Sequence, residues 1–110
     1  MELTQKRCVP CEGGVRPLDS AEVAPLLSQV AGWQVAPGGG QLHRRFDLAS
    51  FPATIAFVDR LADLAEAEGH HPDFCVHYKV LDITLTTHAI GGLSENDFIL
   101  AAKINRLAQG

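Results

Sequence analysis

The sequence is poor in aromatic residues, in cysteine and in clustered positive charge. Phe, Tyr and Trp make up 6% of its 110 residues, and nine lysines and arginines face thirteen aspartates and glutamates, a formal net charge of -4. Apart from Lys6-Arg7 and Arg44-Arg45 the basic residues are scattered, so no stripe of positive potential is offered to phosphates and no direct nucleic-acid partner is expected. The three cysteines, Cys8, Cys11 and Cys75, are an odd count, which argues against a secreted disulfide framework and fits a reducing compartment. No apolar run approaches the roughly 20 residues needed to cross a bilayer, and no charged segment followed by an apolar core opens the chain. The expectation is a soluble cytoplasmic protein with no membrane partner.

What is present is a 46% hydrophobic content, enough for one domain spanning residues 1–110 with a real core, but small for an enclosed site. A shallow or shared site follows. Ser20 is a candidate cap for a helix over 21–30, where Val23, Leu26, Leu27 and Val30 recur at spacings of three and four before Gly32. Residues 33–35 and 42–48 read as strands around Pro37-Gly38-Gly39-Gly40, with Leu42, Arg44, Phe46 and Leu48 on one side and Arg44 the exception. Ser50 precedes a helix over 51–68. Ile55, Val58, Ala62 and Ala65 form one stripe on it and Phe57, Leu61 and Leu64 another, which predicts the best-buried helix of the three.

Gly69 stops that helix and Pro72 prevents its resumption, leaving His70 and His71 in a turn. Strands over 74–79 and 80–88 follow, the second with Leu81, Ile83 and Leu85 on one face and Asp82, Thr84, Thr86 and His88 on the other. Gly91-Gly92 breaks it, Ser94 is a cap candidate, and Phe98, Leu100, Ala101, Ile104 and Leu107 mark a third helix. The order α-β-β-α-β-β-α gives an α+β fold: a four-stranded, mainly antiparallel sheet with three helices packed on one face. Residues 1–19 are weakly specified, and neither a repeat nor a long disordered tract appears.

The chemistry concentrates between residues 66 and 97. Glu66, His70-His71-Pro72, Tyr78, His88 and Asp97 hold three of the five histidines. Imidazole titrates near neutrality, so such a set suits proton transfer. In residue types and in gaps the set resembles the signature of the pterin-4a-carbinolamine dehydratases, and 83–88 and 92–97 resemble that family's last strand and the start of its last helix. The resemblance covers roughly residues 31–107. Two positions depart from it: Gly69 stands where an acidic residue is common and Asn96 where a basic one is.

The resemblance implies an activity: loss of water from a 4a-hydroxytetrahydropterin to give quinonoid dihydropterin, in tetrahydrobiopterin recycling. It implies His70 and His88 as acid and base, His71 as a third catalytic histidine acting mainly in pterin binding, and Glu66, Pro72, Thr87, Ala89 and Ile90 as substrate-binding. Asp97 is implied in a supporting place. No metal and no cofactor are implied, and a homodimer or homotetramer is.

Competing readings stay open on the residues alone. His70 also fits a cation at a helix C-terminus, His88 a surface strand residue, Tyr78 packing and Asp97 capping of the third helix behind Ser94. His43 and His77 fall outside the signature and default to surface or pairing positions. Cys8-Val9-Pro10-Cys11 has the gap of half a zinc site or of a redox pair but supplies only two ligands. Two further functions compete with dehydration: a protein-interaction module of the kind that serves as dimerisation cofactor to a homeodomain factor, and a metal or redox protein using Cys8 and Cys11.

Overall fold

The computed structural model describes residues 2–10 and 13–109. A 3-10 turn at Leu3–Gln5 is followed by α1 (Ser20–Leu27), β1 (Gln34–Val35), β2 (Leu42–Asp47), α2 (Phe51–Glu68), β3 (Asp73–His77), β4 (Val80–Leu85), a second 3-10 turn at His88–Ile90, and α3 (Glu95–Gln109). The strands form one sheet in the order β1-β2-β4-β3, each neighbouring pair antiparallel. This is the α+β arrangement that the sequence pattern predicts.

Local chemistry sets most of the boundaries. Asp19, not Ser20, caps α1: its carboxylate accepts from the Glu22 N–H at 2.9 Å, and the Glu22 carboxylate accepts from the Asp19 N–H at 3.0 Å, a reciprocal capping box. The helix ends three residues before the expected Val30 because its last turn tightens, Val30 N–H donating to the Leu27 carbonyl three residues back. Ser50 caps α2 by accepting from the Ala53 N–H, and Gly69 ends it in the left-handed region with φ 65°. Tyr78 opens the two-residue loop between β3 and β4 with φ 57° and is 69% exposed. Its expected packing role is therefore wrong: the positive φ such a loop takes at its first position turns the ring to solvent.

Leu42 and Phe46 of β2 and Leu81, Ile83 and Leu85 of β4 meet the helices in the core. Arg44, the exception in β2, turns its guanidinium over the Phe46 ring, 4.2 Å from the centroid, and donates to the Ala31 carbonyl and Asn105 Oδ1. His43 pairs with Asp82 at 3.1 Å, whose carboxyl is held below its ordinary range chiefly by a hydrogen bond from Arg45. The best-buried helix is α3, with eight buried residues against four on α2. It touches α1, α2 and the first 3-10 turn, whereas Ile55 and Ala62 of α2 lie at the surface.

Residues before α1 are better specified than the sequence suggests. Leu3 is buried in the core, Leu18 N–H donates to the Leu93 carbonyl, and Cys8 N–H donates to Glu68 Oε1 at 2.9 Å. Glu68 also holds Lys103 at 2.7 Å and Arg7 at 3.3 Å. Burial pushes its pKa up, but the hydrogen bonds from Lys103 and the Cys8 amide, with the charges of Lys103 and Arg7, outweigh that and hold it below the ordinary value. A depressed carboxylate stabilises the fold above its unfolded pKa, about 4.3, and the contribution is lost as pH falls through the lower folded value. Urea unfolding of Glu68→Gln is thus expected to show a deficit at pH 7 that closes below about pH 4. A deficit unchanged at pH 3 would assign the loss to packing rather than charge.

Candidate active site

The left-handed turn at Gly69 sends the chain back from the end of α2, with His70 N–H still donating to the Ala65 carbonyl. This brings the His70 ring onto the first turn of α3. There His70 Nε2 lies 2.6 Å from Asp97 Oδ1, with the imidazole 12% and the carboxylate 0% exposed. The other carboxylate oxygen accepts from the Thr87 hydroxyl at 2.8 Å and from the Ser94 N–H at 3.0 Å. Thr87 and Ser94 are joined hydroxyl to hydroxyl at 2.8 Å. A buried carboxylate is costly unless every lone pair is used, and here three elements supply the donors.

Asp97 therefore caps α3, as the sequence suggests, and also fixes the His70 ring. Asp97 engages Nε2 of the ring and leaves Nδ1 as the ring nitrogen it does not hold. His71 is held more loosely at the surface, its Nε2 2.5 Å from Glu66 Oε2 with both side chains exposed. His88 does not end a strand: β4 stops at Leu85, and His88 opens the 3-10 turn. The strand ends early because Thr87 pairs instead with Gly92 across that turn, so His88 projects 79% exposed and 4.0 Å from Asp73.

His70, His71 and His88 line one open cleft of about 390 Å³ together with Gly69, Thr86, Thr87, Ala89, Asn96, Val9 and Pro10. His88 and Thr86 also border a neighbouring cleft of about 410 Å³ at the glycine-rich hairpin loop, which Thr86 ties down by donating to the Gly40 carbonyl. Of the residues expected to bind substrate, Thr87 and Ala89 are on the wall; Pro72 and Ile90 are not, and Glu66 stands behind His71. A roomier cavity of about 540 Å³ lies elsewhere, among Thr4, Arg60, Leu64, Glu68, Lys103, Arg106 and Leu107, and holds no histidine.

Residues 16–107 match the family model described as pterin 4 alpha carbinolamine dehydratase. The chain belongs to that family. A relative from Halorhodospira halophila, provisionally named pterin-4-alpha-carbinolamine dehydratase, is 45% identical over 97% of this chain and 98% of its own. One of the same provisional name from Stenotrophomonas maltophilia is 48% identical over 97% of this chain and 92% of its own. Among solved structures, a transcriptional coactivator/pterin dehydratase from Brucella melitensis superimposes with TM-score 0.80 at 32% identity, covering 84% of this chain and 99% of that one. A pterin dehydratase-like protein identified as a RuBisCO assembly factor in the alpha-carboxysome does so with TM-score 0.61 at 31% identity, over 70% and 89%.

In this member of the pterin dehydratase family the cleft wall includes residues that the sequence pattern does not assign to the site: Val9, Pro10, Gly69, Thr86 and Asn96. Asn96 gives a signal, being a departure from the family pattern; Val9 and Pro10 give none. Behind that wall, burial, reinforced by the neighbouring Glu68 carboxylate, pushes the Cys8 thiol up to about 12. At neutral pH it is a thiol rather than the thiolate that redox or metal chemistry needs. Its expected companion Cys11 lies outside the described residues. Among the described residues no three His, Cys, Asp or Glu side chains are grouped as ligands to a metal, and no helix is long and apolar enough to cross a membrane.

Proposed function

We propose that the chain is a hydro-lyase that dehydrates a 4a-hydroxytetrahydropterin to quinonoid dihydropterin by histidine acid/base catalysis, in tetrahydropterin recycling. The observation that carries this reading is one cleft lined by three imidazoles, one of them fixed by a buried carboxylate. His88, in contact with water, gives a proton to the leaving hydroxyl as the C4a–O bond breaks. His70, through Nδ1, takes the proton from a ring nitrogen, whose bonding electrons close the new C=N bond. One proton is given and one taken, so water and quinonoid product balance the substrate, and exchange with solvent resets both rings. His71, steadied by Glu66, and the backbone of residues 87–89 meet the donors and acceptors of the heterocycle. Neither metal nor cofactor takes part.

Adding the protein to freshly generated 4a-hydroxytetrahydropterin, with absorbance of the quinonoid product as readout, is expected to speed its formation well above the spontaneous rate. A folded protein that leaves the rate unchanged would overturn the reading.

A second reading, an interaction role, draws on exposed apolar residues. Phe51 and Ile55 lie four apart at the surface of α2, and Phe74 is exposed on β3, which among the described residues pairs on one side only. An open strand edge of this kind invites pairing with another copy, in keeping with a homodimer or homotetramer. Light scattering on the purified protein tests it: a monomer at micromolar concentration would remove self-association from the proposal.

A further inference from the structure

Residues 7–10 belong to no helix or strand, yet one side chain fastens them along the cleft. Asn96 acts as a two-point clamp: its Oδ1 accepts from the Val9 N–H at 3.0 Å, and its Nδ2 donates to the Val9 carbonyl at 2.6 Å. Both backbone polar groups of Val9 are thus met as a neighbouring strand would meet them. Alongside, the Cys8 amide donates to Glu68, the Cys8 thiol donates to the Asn96 carbonyl at 3.5 Å, and Arg7 Nη2 donates to the Ala67 carbonyl at 3.0 Å. Farther along, a Cβ on Gly13 would come within 3.6 Å of the Ala89 carbonyl, and Pro17 packs against Gly92. Within residues 7–10 it is Val9 and Pro10 that reach the cleft.

The backbone is held while the side chains it carries stay uncovered. Val9 is 63% exposed, and it and Pro10 form part of the same cleft wall as His70, His71 and His88. Such an arrangement gives nothing to the core. It presents fixed apolar surface to whatever enters the cleft, the way a binding wall is built from a rigid support.

We infer that Val9 and Pro10 are specificity-determining residues that read the C6 substituent of the pterin, and that Asn96 is the positioning residue that sets them. The inference rests on the dehydratase reading for the identity of the ligand. C6 is bonded to N5, which neighbours the reacting C4a, so a wall beside His70 lies within reach of whatever C6 carries. An apolar wall favours a methyl group there over a hydroxylated chain, since an extra methylene or a misplaced hydroxyl in such a pocket shifts selectivity by roughly 10 to 200-fold.

Steady-state kinetics on the 4a-hydroxy forms of 6-methyltetrahydropterin and of the 6-(1,2-dihydroxypropyl) compound test this with Asn96→Ala and Val9→Ser. In both variants KM for the 6-methyl substrate is expected to rise about tenfold with kcat within twofold, and the kcat/KM ratio to move toward the dihydroxypropyl substrate. A general loss of fold would lower kcat for both substrates alike, and Val9→Ser, at an exposed side chain, guards against it. Turnover by the natural protein with KM and the substrate ratio unchanged in Val9→Ser would overturn the wall while leaving the dehydratase reading in place. No turnover of either substrate by the natural protein would overturn the dehydratase reading, and the wall with it.

Discussion

His70→Ala is expected to lower kcat for carbinolamine dehydration by about 10² to 10⁴-fold, the usual contribution of a positioned proton-transfer group. The imidazole is the one histidine of the cleft with both a fixed ring and a protected environment, so its loss removes a base that no neighbour replaces: His71 is paired to Glu66 and His88 is exposed. Stability should fall less than activity. Asp97 keeps the Ser94 amide and the Thr87 hydroxyl as donors, and a water can take the place of the ring at the open cleft. His88→Ala is the companion. An exposed side chain changes stability by no more than about 0.5 kcal/mol, so any large loss of kcat there reports chemistry alone. Stopped-flow absorbance with thermal melts separates the two, and full activity in the double variant would rule out the proposed acid/base pair.

Asp97→Ala is expected to do the opposite, costing the fold first. The substitution leaves the Ser94 N–H, the Thr87 hydroxyl and the His70 ring without their common acceptor, each a loss of about 1 to 3 kcal/mol when the group is buried. A total of at least about 3 kcal/mol follows, the lower end for breaking a buried charged pair. For a chain of this size that lowers the melting midpoint by roughly 10 °C or more. Asp97→Asn keeps an acceptor oxygen and the shape, and should recover part of the stability. It should not recover kcat, because an amide facing Nε2 no longer fixes the tautomer that leaves Nδ1 free. A calorimetric scan beside the kinetics checks both halves; natural kcat in Asp97→Asn would confine Asp97 to capping.

Most of the fold is legible in the sequence because it is local. The cap at Ser50, the stop at Gly69 and the alternation of Leu81, Ile83 and Leu85 are each decided within a few residues, and α2 lies where its pattern places it. The misreadings have the opposite cause. Which helix is most buried depends on how many elements surround it, and α3 is covered from three directions, something its own periodicity does not reveal. Strand propensity suggests packing for Tyr78, but the loop geometry decides its exposure. In the site, residue types and gaps point to the three histidines and to Asp97. They do not show that the capping carboxylate of α3 is also the partner of His70, since the two are 27 residues apart. Nor do they bring Val9 to the cleft, because its clamp lies 87 residues away.

That last separation orders the assembly of the protein in time. Val9 leaves the ribosome 87 residues ahead of Asn96, and at about 5 to 20 residues per second the first segment waits several seconds for the side chain that receives it. Until then Leu3 is uncovered, the Val9 amide and carbonyl are unclamped, and His70 lacks the Asp97 carboxylate, since Asp97 follows Asn96. Helix α2 and the β3–β4 hairpin can form on the nascent chain from their own contacts. The cleft is complete only when α3 arrives and its Asn96 takes up Val9.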